Sequence, residues 1–228
     1  MNIIITGGSK GIGKELVLKF AENPSNFVIT ISRSVESVVE FKSLNNVIAF
    51  NFDYNTDDYN RLIEFCNETL NHKIDILINN AGLLFNKTIF EISDEEIFKT
   101  YNVNLFSVMK LVKGFINSIS ARQGHILNIS SMGGVQGSVK FPGLSIYSSA
   151  KAALICLTEA LAVELAEKSI AVNALALGAV QTEMLQTAFP DYKAPVSAID
   201  MAEFIYYFAV EGKKFFNGKV LPVSLSTP

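Results

Sequence analysis

A chain of 228 residues, 49% of them hydrophobic and only 18% charged, is long enough to bury a substantial core and too apolar to be intrinsically disordered. Its net charge of −3, with no basic block, excludes nucleic acid as an electrostatic partner. Two cysteines without CxxC spacing, Cys66 and Cys156, and two distant histidines, His72 and His125, offer no metal-site pattern and suit a reduced compartment.

Strand-like and helix-like segments alternate from the N-terminus onward. Asn2–Thr6 is a β-branched run, and Gly11–Glu22 has helical spacing with Ile12, Leu16, Val17 and Phe20 on one side. Phe27–Ser32, Val47–Phe50 and Asp75–Asn79 read as strands, with a helix over Thr56–Leu70. One long helix is expected over Ser93–Ser120, its first turn capped by Ser93, Asp94, Glu95 and Glu96. His125–Ser130 is a strand, Ser145–Glu167 a helix and Ile170–Ala176 a strand. Ser197–Val210 is helical and Lys219–Val223 a last strand. Apolar strands alternating with amphipathic helices predict an α/β fold: a doubly wound parallel sheet covered by helices on both faces. No Pro- or Ser-rich linker divides residues 1–228, so a single domain is expected. The opening MNIIITGG lacks the basic and long apolar regions of a signal peptide, and Glu159, Glu164 and Glu167 interrupt the most apolar stretch. The expectation is a cytoplasmic protein with no membrane partner.

The first strand runs into Thr6-Gly7-Gly8-Ser9-Lys10-Gly11-Ile12-Gly13 and then a helix. Glycines let backbone N–H groups approach a ligand, and a helix N-terminus favours a pyrophosphate. Such a turn also serves as a plain strand-to-helix connection. Tyr147 and Lys151 stand four apart in a predicted helix and so share a face, either as an exposed polar pair or as a phenol beside an ammonium that favours its phenolate. Ser130 and Ser131 end an apolar strand, where ligands of open α/β sheets bind and where a hydroxyl can donate to an oxyanion. Cofactor choice in such folds is made about 20 residues past the Gly-rich turn. Here Thr30-Ile31-Ser32-Arg33-Ser34 carries no carboxylate; Arg33 can fork onto a phosphate, with Ser32 and Ser34 beside it and Lys10 as a second cation. NADP(H) is therefore expected over NAD(H).

Together, and in this order, the motifs resemble the short-chain dehydrogenase/reductase family over essentially the whole chain. The resemblance implies a Rossmann-like fold, a nicotinamide cofactor and a carbonyl or alcohol substrate. It implies cofactor contacts from Thr6, Gly7, Ser9, Lys10, Gly11, Ile12 and Gly13. Ser32, Arg33 and the adenine-side Asp53 would add to these, as would Asn80, Ala81 and Gly82 of the Asn79-Asn80-Ala81-Gly82 motif. It implies Gly178, Val180 and Thr182 near the nicotinamide, and a matching asparagine at Asn173. Ser131, Tyr147, Lys151 and Asn104 match its catalytic tetrad: Tyr147 the acid or base, Lys151 lowering its pKa and holding the ribose, Ser131 donating to the carbonyl oxygen. Asn104 would hold a water behind Lys151. The alternative is a cofactor-binding regulator or scaffold of the same fold without turnover.

Three departures from the family pattern stand out. Leu177-Gly178 replaces Pro-Gly, which is expected to loosen that turn, since proline pre-sets φ. The gap from Ser131 to Tyr147 is long, so Val139–Gly143 is expected to bulge beside the pocket. The chain closes on Ser224-Leu225-Ser226-Thr227-Pro228 instead of the family's Asp-Gly-Gly, which puts C-terminal intersubunit contacts in question. Residues Glu183–Val196 suggest a short substrate lid. Its Met184, Leu185, Phe189 and Tyr192 either line an apolar pocket with Phe141 and Leu144 or pack on their own protein. The Ser145–Glu167 helix is apolar nearly all round, at Ala150, Ala152, Ala153, Leu154, Ile155, Leu157, Leu161 and Val163, which predicts a homodimer or homotetramer built on it.

Overall fold

Seven parallel strands form one sheet in the order β3-β2-β1-β4-β5-β6-β7. They are β1 (Asn2–Thr6), β2 (Phe27–Ser32), β3 (Val47–Asn51), β4 (Ile76–Asn79), β5 (His125–Ser131), β6 (Ala171–Leu177) and β7 (Val220–Val223). The computed structural model describes residues 1–35, 38–120 and 122–226; Thr227 and Pro228 lie outside them. Side chains alternate across each strand: Ile4 and Leu77 enter one core, Ile3, Ile5, Ile76 and Ile78 the other. The first core is roofed by α2 (Tyr59–Thr69), α4 (Ser107–Ser120) and α5 (Ser145–Glu164), through Leu62, Phe115 and Leu154. The second is roofed by α1 (Gly11–Ala21) and α7 (Ala198–Glu211), through Leu16, Phe20 and Ile205. Strand order reverses between β1 and β4, and the crevice past their carboxyl ends is where such sheets bind ligands.

Four local features differ from the sequence expectation. The helix expected over residues 93–120 is two helices, α3 (Asp94–Tyr101) and α4, joined by a π turn at Asn102–Phe106. Its start is as expected: the Ser93 hydroxyl accepts from Glu96 N and the Glu96 carboxylate accepts from Ser93 N. Helix α2 begins at Tyr59 rather than Thr56, because residues 53–57 close a turn on Asp53, whose carbonyl accepts from Thr56 N and Asp57 N. Strand β6 runs one residue further than expected. Leu177 pairs with Ser131 and Val223, and Gly178 N donates to Val223 O at 2.9 Å. Leucine thus extends the ladder where proline ends one, and the turn is anchored rather than loose. Finally, α5 is by length and composition long and apolar enough to cross a membrane, so its glutamates do not break the apolar run. Its partners define it instead: Ala150, Lys151, Leu154, Thr158 and Ala162 are buried, and it packs along β5 and β6.

Asn173 is remote from the strand ends that face the crevice. Its amide donates to Phe216 O (2.9 Å) and lies 3.0 Å from His125 Nε2, while its Oδ1 accepts from Lys219 N (3.0 Å). It staples β5 to β6 and to the approach of β7.

Candidate active site

The carboxyl ends of the strands open into a cavity of about 290 Å³. At one end lies the Gly-rich turn. Gly7 and Gly11 have φ of +75° and +53°, the left-handed region glycine favours. A Cβ on Gly13 would lie 2.1 Å from Gly7 O, and one on Gly7 2.8 Å from Ala81 Cα, so the turn and the Asn80–Gly82 segment pack backbone to backbone. Thr6 and Asn80 hold that packing. The Thr6 hydroxyl accepts from Asn80 N (3.0 Å) and Ala81 N (2.9 Å), and the Asn80 amide donates to Thr6 O (3.0 Å) and Gly7 O (3.2 Å).

Gly7, Ser9, Lys10, Gly11, Ile12 and Gly13 line this end, with Ser32, Arg33 and Asp53 beyond them and Asn80, Ala81 and Gly82 opposite. Thr6 does not line it; it is buried beneath the turn as a staple. Ser32 Oγ donates to Ser9 Oγ at 2.9 Å, tying the end of β2 to the turn. Arg33 and Lys10 are exposed at the rim. The Asp53 carboxylate accepts from Asn55 N (2.9 Å) and Asn55 Nδ2 (3.2 Å), which shapes the loop after β3. A cradle of close-packed glycines at a helix N-terminus, with two rim cations, fits a phosphorylated dinucleotide.

The other end is set by the docking of α5 on β5. Lys151 Nζ donates to Ile129 O at 2.9 Å, and Ser130 Oγ donates to Lys151 O at 3.0 Å. A Cβ on Gly134 would lie 2.7 Å from Ala152 N, so the turn after β5 comes close to α5 only with glycine there. One helical turn before Lys151, Tyr147 lies on the same helix face, towards the strand end where the Ser131 hydroxyl accepts from Gly133 N at 3.1 Å. Ser131, Tyr147 and Lys151 all line the cavity, as do Gly178, Val180 and Thr182.

Electrostatically the Tyr147–Lys151 pair differs from expectation. Lys151 Nζ sits 5.8 Å from the Tyr147 ring centroid. Burial pushes the phenol up to about 12, against a smaller downward pull from Ser131, and pushes Lys151 down to about 8. Desolvation disfavours both charged forms and outweighs the effect of the ammonium on the phenol.

Asn104 is fully buried and does not line the cavity. It lies in the π turn, its amide donating to Leu83 O (2.7 Å) and Thr100 O (2.8 Å). It and Lys151 both come near Gly82: a Cβ there would be 3.4 Å from Asn104 Oδ1 and 3.9 Å from Lys151 Nζ. Asn79 faces the opposite way, donating to Asn128 Oδ1 at 2.8 Å within the α5-side core.

Sequence reasoning missed several lining residues, among them Tyr54, Asn55, Leu83, Leu84, Val103 and Ser148. Leu83 and Leu84 follow Gly82 directly, so their place past the end of β4 was open to inference; the others depend on how distant segments meet. Val139 and Phe141 line the cavity as expected of a bulge, and the lid contributes Met184, Leu185 and Phe189 through the short helix α6 (Glu183–Ala188) and the residue after it. Leu144 lines it too, but Tyr192 does not; its hydroxyl donates to Ser226 Oγ.

Known proteins share this fold. Residues 1–193 match the family profile described as short chain dehydrogenase. The chain is 31% identical to the 3-oxoacyl-acyl-carrier-protein reductase FabG of Chlamydia trachomatis serovar D, over 96% of this chain and 94% of that protein. Among solved structures, ElxO with NADP bound has 31% identity and a TM-score of 0.83, covering 98% of this chain and 96% of that one. The Brucella melitensis 3-ketoacyl-(acyl-carrier-protein) reductase complexed with NADH has 25% identity and a TM-score of 0.86, covering 98% and 96%. With its Rossmann-like sheet and a profile match over most of its length, the chain belongs to the short-chain dehydrogenase/reductase family of oxidoreductases.

Proposed function

We propose that this protein interconverts a carbonyl compound and its alcohol, using NADP(H) in preference to NAD(H), with Ser131, Tyr147, Lys151 and Asn104 as the catalytic group. One observation carries the reading: a single cavity joins a glycine-built phosphate cradle to Ser131, Tyr147 and Lys151. The nicotinamide supplies or accepts the hydride when bound. The chain's part is position and protons. Tyr147, raised to about 12, holds its proton at neutral pH and gives it to the carbonyl oxygen in reduction. Ser131 Oγ donates to the same oxygen. Lys151 holds the ribose and supplies positive charge beneath the phenol, and Asn104, whose amide donates to Leu83 O, would hold a water behind Lys151.

The Gly7–Gly13 turn and Asn80–Gly82 would hold the pyrophosphate, Asp53 the adenine side, and Gly178, Val180 and Thr182 the nicotinamide. Arg33 and Lys10 favour a 2′-phosphate, with no carboxylate at the end of β2 to repel it. The protein is proposed to work in the cytoplasm, in keeping with its free cysteines Cys66 and Cys156, as a single domain with a lid over residues 183–196. A homodimer or homotetramer would cover the open face of α5, where Cys156, Ala160 and Val163 are exposed.

Following reduced-cofactor absorbance with a panel of aldehydes, ketones and alcohols tests the reaction. Tyr147→Phe should lower turnover by roughly 10²–10⁴-fold while NADPH still binds. Wild-type turnover in that variant would remove Tyr147 from the chemistry.

A further inference from the structure

Three segments far apart in sequence meet over the substrate end of the cavity: the loop after β4, the loop between β5 and α5, and the lid. Phe141 and Phe189 touch edge to face there, with ring centroids 5.3 Å apart and planes at 73°. Leu83, Leu84 and Met184 complete the wall. A side chain outside the wall ties the segments together. Asn86 Nδ2 donates to Ala188 O, the residue before Phe189, at 2.8 Å. Its other amide atom, Oδ1, occupies space that a Cβ on Gly143 would enter at 2.1 Å, and Gly143 has φ of +82°. Next to Asn86, Lys87 N donates to Gly143 O at 3.0 Å. Gly143, two residues past Phe141, is therefore glycine for two reasons, and both phenylalanines are held through Asn86 and its neighbour.

Among the described residues, none that forms that wall is charged. Lys87 Nζ pairs with Glu96 Oε1 at 2.6 Å, and Lys140 Nζ donates to Val135 O and Ser138 Oγ, both at 2.7 Å; neither lysine lines the cavity. Asp191 and Lys193 of the lid also lie off it. Glu183 lines the cavity, but its carboxylate faces Gly11 at the cofactor end. Lys151 is the remaining cation near the reacting oxygens; it is buried, bonded to Ile129 O, and by the reading above taken up by the cofactor ribose.

We infer that this end is an apolar chamber, closed by Phe141 and Phe189 and latched by Asn86, which selects uncharged carbonyl compounds over the matching oxo acids. The inference rests on the carbonyl–alcohol reading above. A carboxylate entering the chamber loses water and gains no cation, whereas an apolar or ester substituent is favoured by the same burial.

The test compares phenylpyruvate with its methyl ester and acetoacetate with its ethyl ester, pairs that differ in charge. Turnover is followed with NADPH, and binding to the NADP-loaded protein by calorimetry. The esters should be favoured by at least about 100-fold in kcat/KM, the scale set by burying an unpaired carboxylate. Turnover of acid and ester at similar kcat/KM overturns the chamber and leaves the hydride reading standing. Tighter binding of the ester without turnover supports the chamber and overturns the hydride reading. Binding of neither member overturns the chamber. The latch is tested by Asn86→Ala, which removes one hydrogen bond: KM for the ester should rise roughly 2- to 10-fold with KM for NADPH unchanged. An unchanged ester KM, or equal rises for both, removes Asn86 from this role.

Discussion

The two ends of the cavity are built from different materials. Around the Gly-rich turn the wall is largely backbone, contributed by residues within a few positions of the β1 and β4 ends and stapled by Thr6 and Asn80. Around Phe141 and Phe189 the wall is side chain, brought together from three segments by the single amide of Asn86 and one backbone bond. A backbone wall admits little change, as the 2.1 Å approach to Gly13 shows. A side-chain wall on loops can change its lining without disturbing the sheet, so specificity has room to vary there. The cofactor end therefore fixes what all substrates share, and the substrate end decides which of them enter.

The sharpest way to break this division is at the rim of the cofactor end, where side chains take over from backbone. Arg33→Ala removes a charge-assisted contact worth about 1.5–3 kcal/mol, so NADPH binding should weaken roughly 10- to 150-fold while NADH binding changes little. Titrating both reduced cofactors into wild type and variant checks this; an equal loss for both would sink the assignment of Arg33 to the 2′-phosphate, and no loss for either would return it to the solvated surface. A smaller effect is expected from pH. Burial places Lys151 at about 8, so the ammonium proposed to hold the ribose is present below that pH and lost above it. Cofactor affinity should be level at lower pH and fall by at most about tenfold per unit as pH rises through 8. Tyr147, raised to about 12, keeps its proton over that range and adds no slope. A level affinity across pH 8 would detach Lys151 from cofactor binding.

The same contrast explains what the sequence made legible. The turn from Gly7 to Gly13 and the pair Tyr147 and Lys151 are local patterns: their spacing alone fixes a shared loop or a shared helix face. The strand ends followed from apolar runs, and the sheet from their alternation with helices. What escaped depends on burial or on long-range meeting. Whether Lys151 lowers the Tyr147 pKa is decided by how dry the site is, and burial wins. Thr6 and Asn104 belong to matching motifs yet do not line the cavity, because each spends its polar atoms on neighbouring backbone. The π turn carries no Gly or Pro to mark it, the first glycine after Ser93 being Gly114, so it passed as ordinary helix. Asn86 carries no local signal, since its partner Ala188 is 102 residues away.

That π turn sharpens the comparison further, because it touches both ends at once. Insertions of this kind inside helices often sit at functional sites. Asn104 points from it to Leu83 O on the substrate side. Asn102 points from it to the other end, its amide donating to Tyr54 O at 2.6 Å and to Asn55 Oδ1 at 3.1 Å, while Asn55 Nδ2 donates in turn to Asp53 Oδ1 at 3.2 Å. Asn102 is buried, and these bonds make it a positioning residue for the loop proposed to meet the adenine. Asn102→Ala leaves Tyr54 O to the Tyr59 hydroxyl alone and releases Asn55. Losing a net hydrogen bond of about 1 kcal/mol should raise the Kd for NADPH roughly 2- to 10-fold. Reduced nicotinamide mononucleotide, which lacks the adenylate half, should bind variant and wild type alike. A general loosening of the fold would weaken both ligands together, and that result would reduce Asn102 to a packing residue.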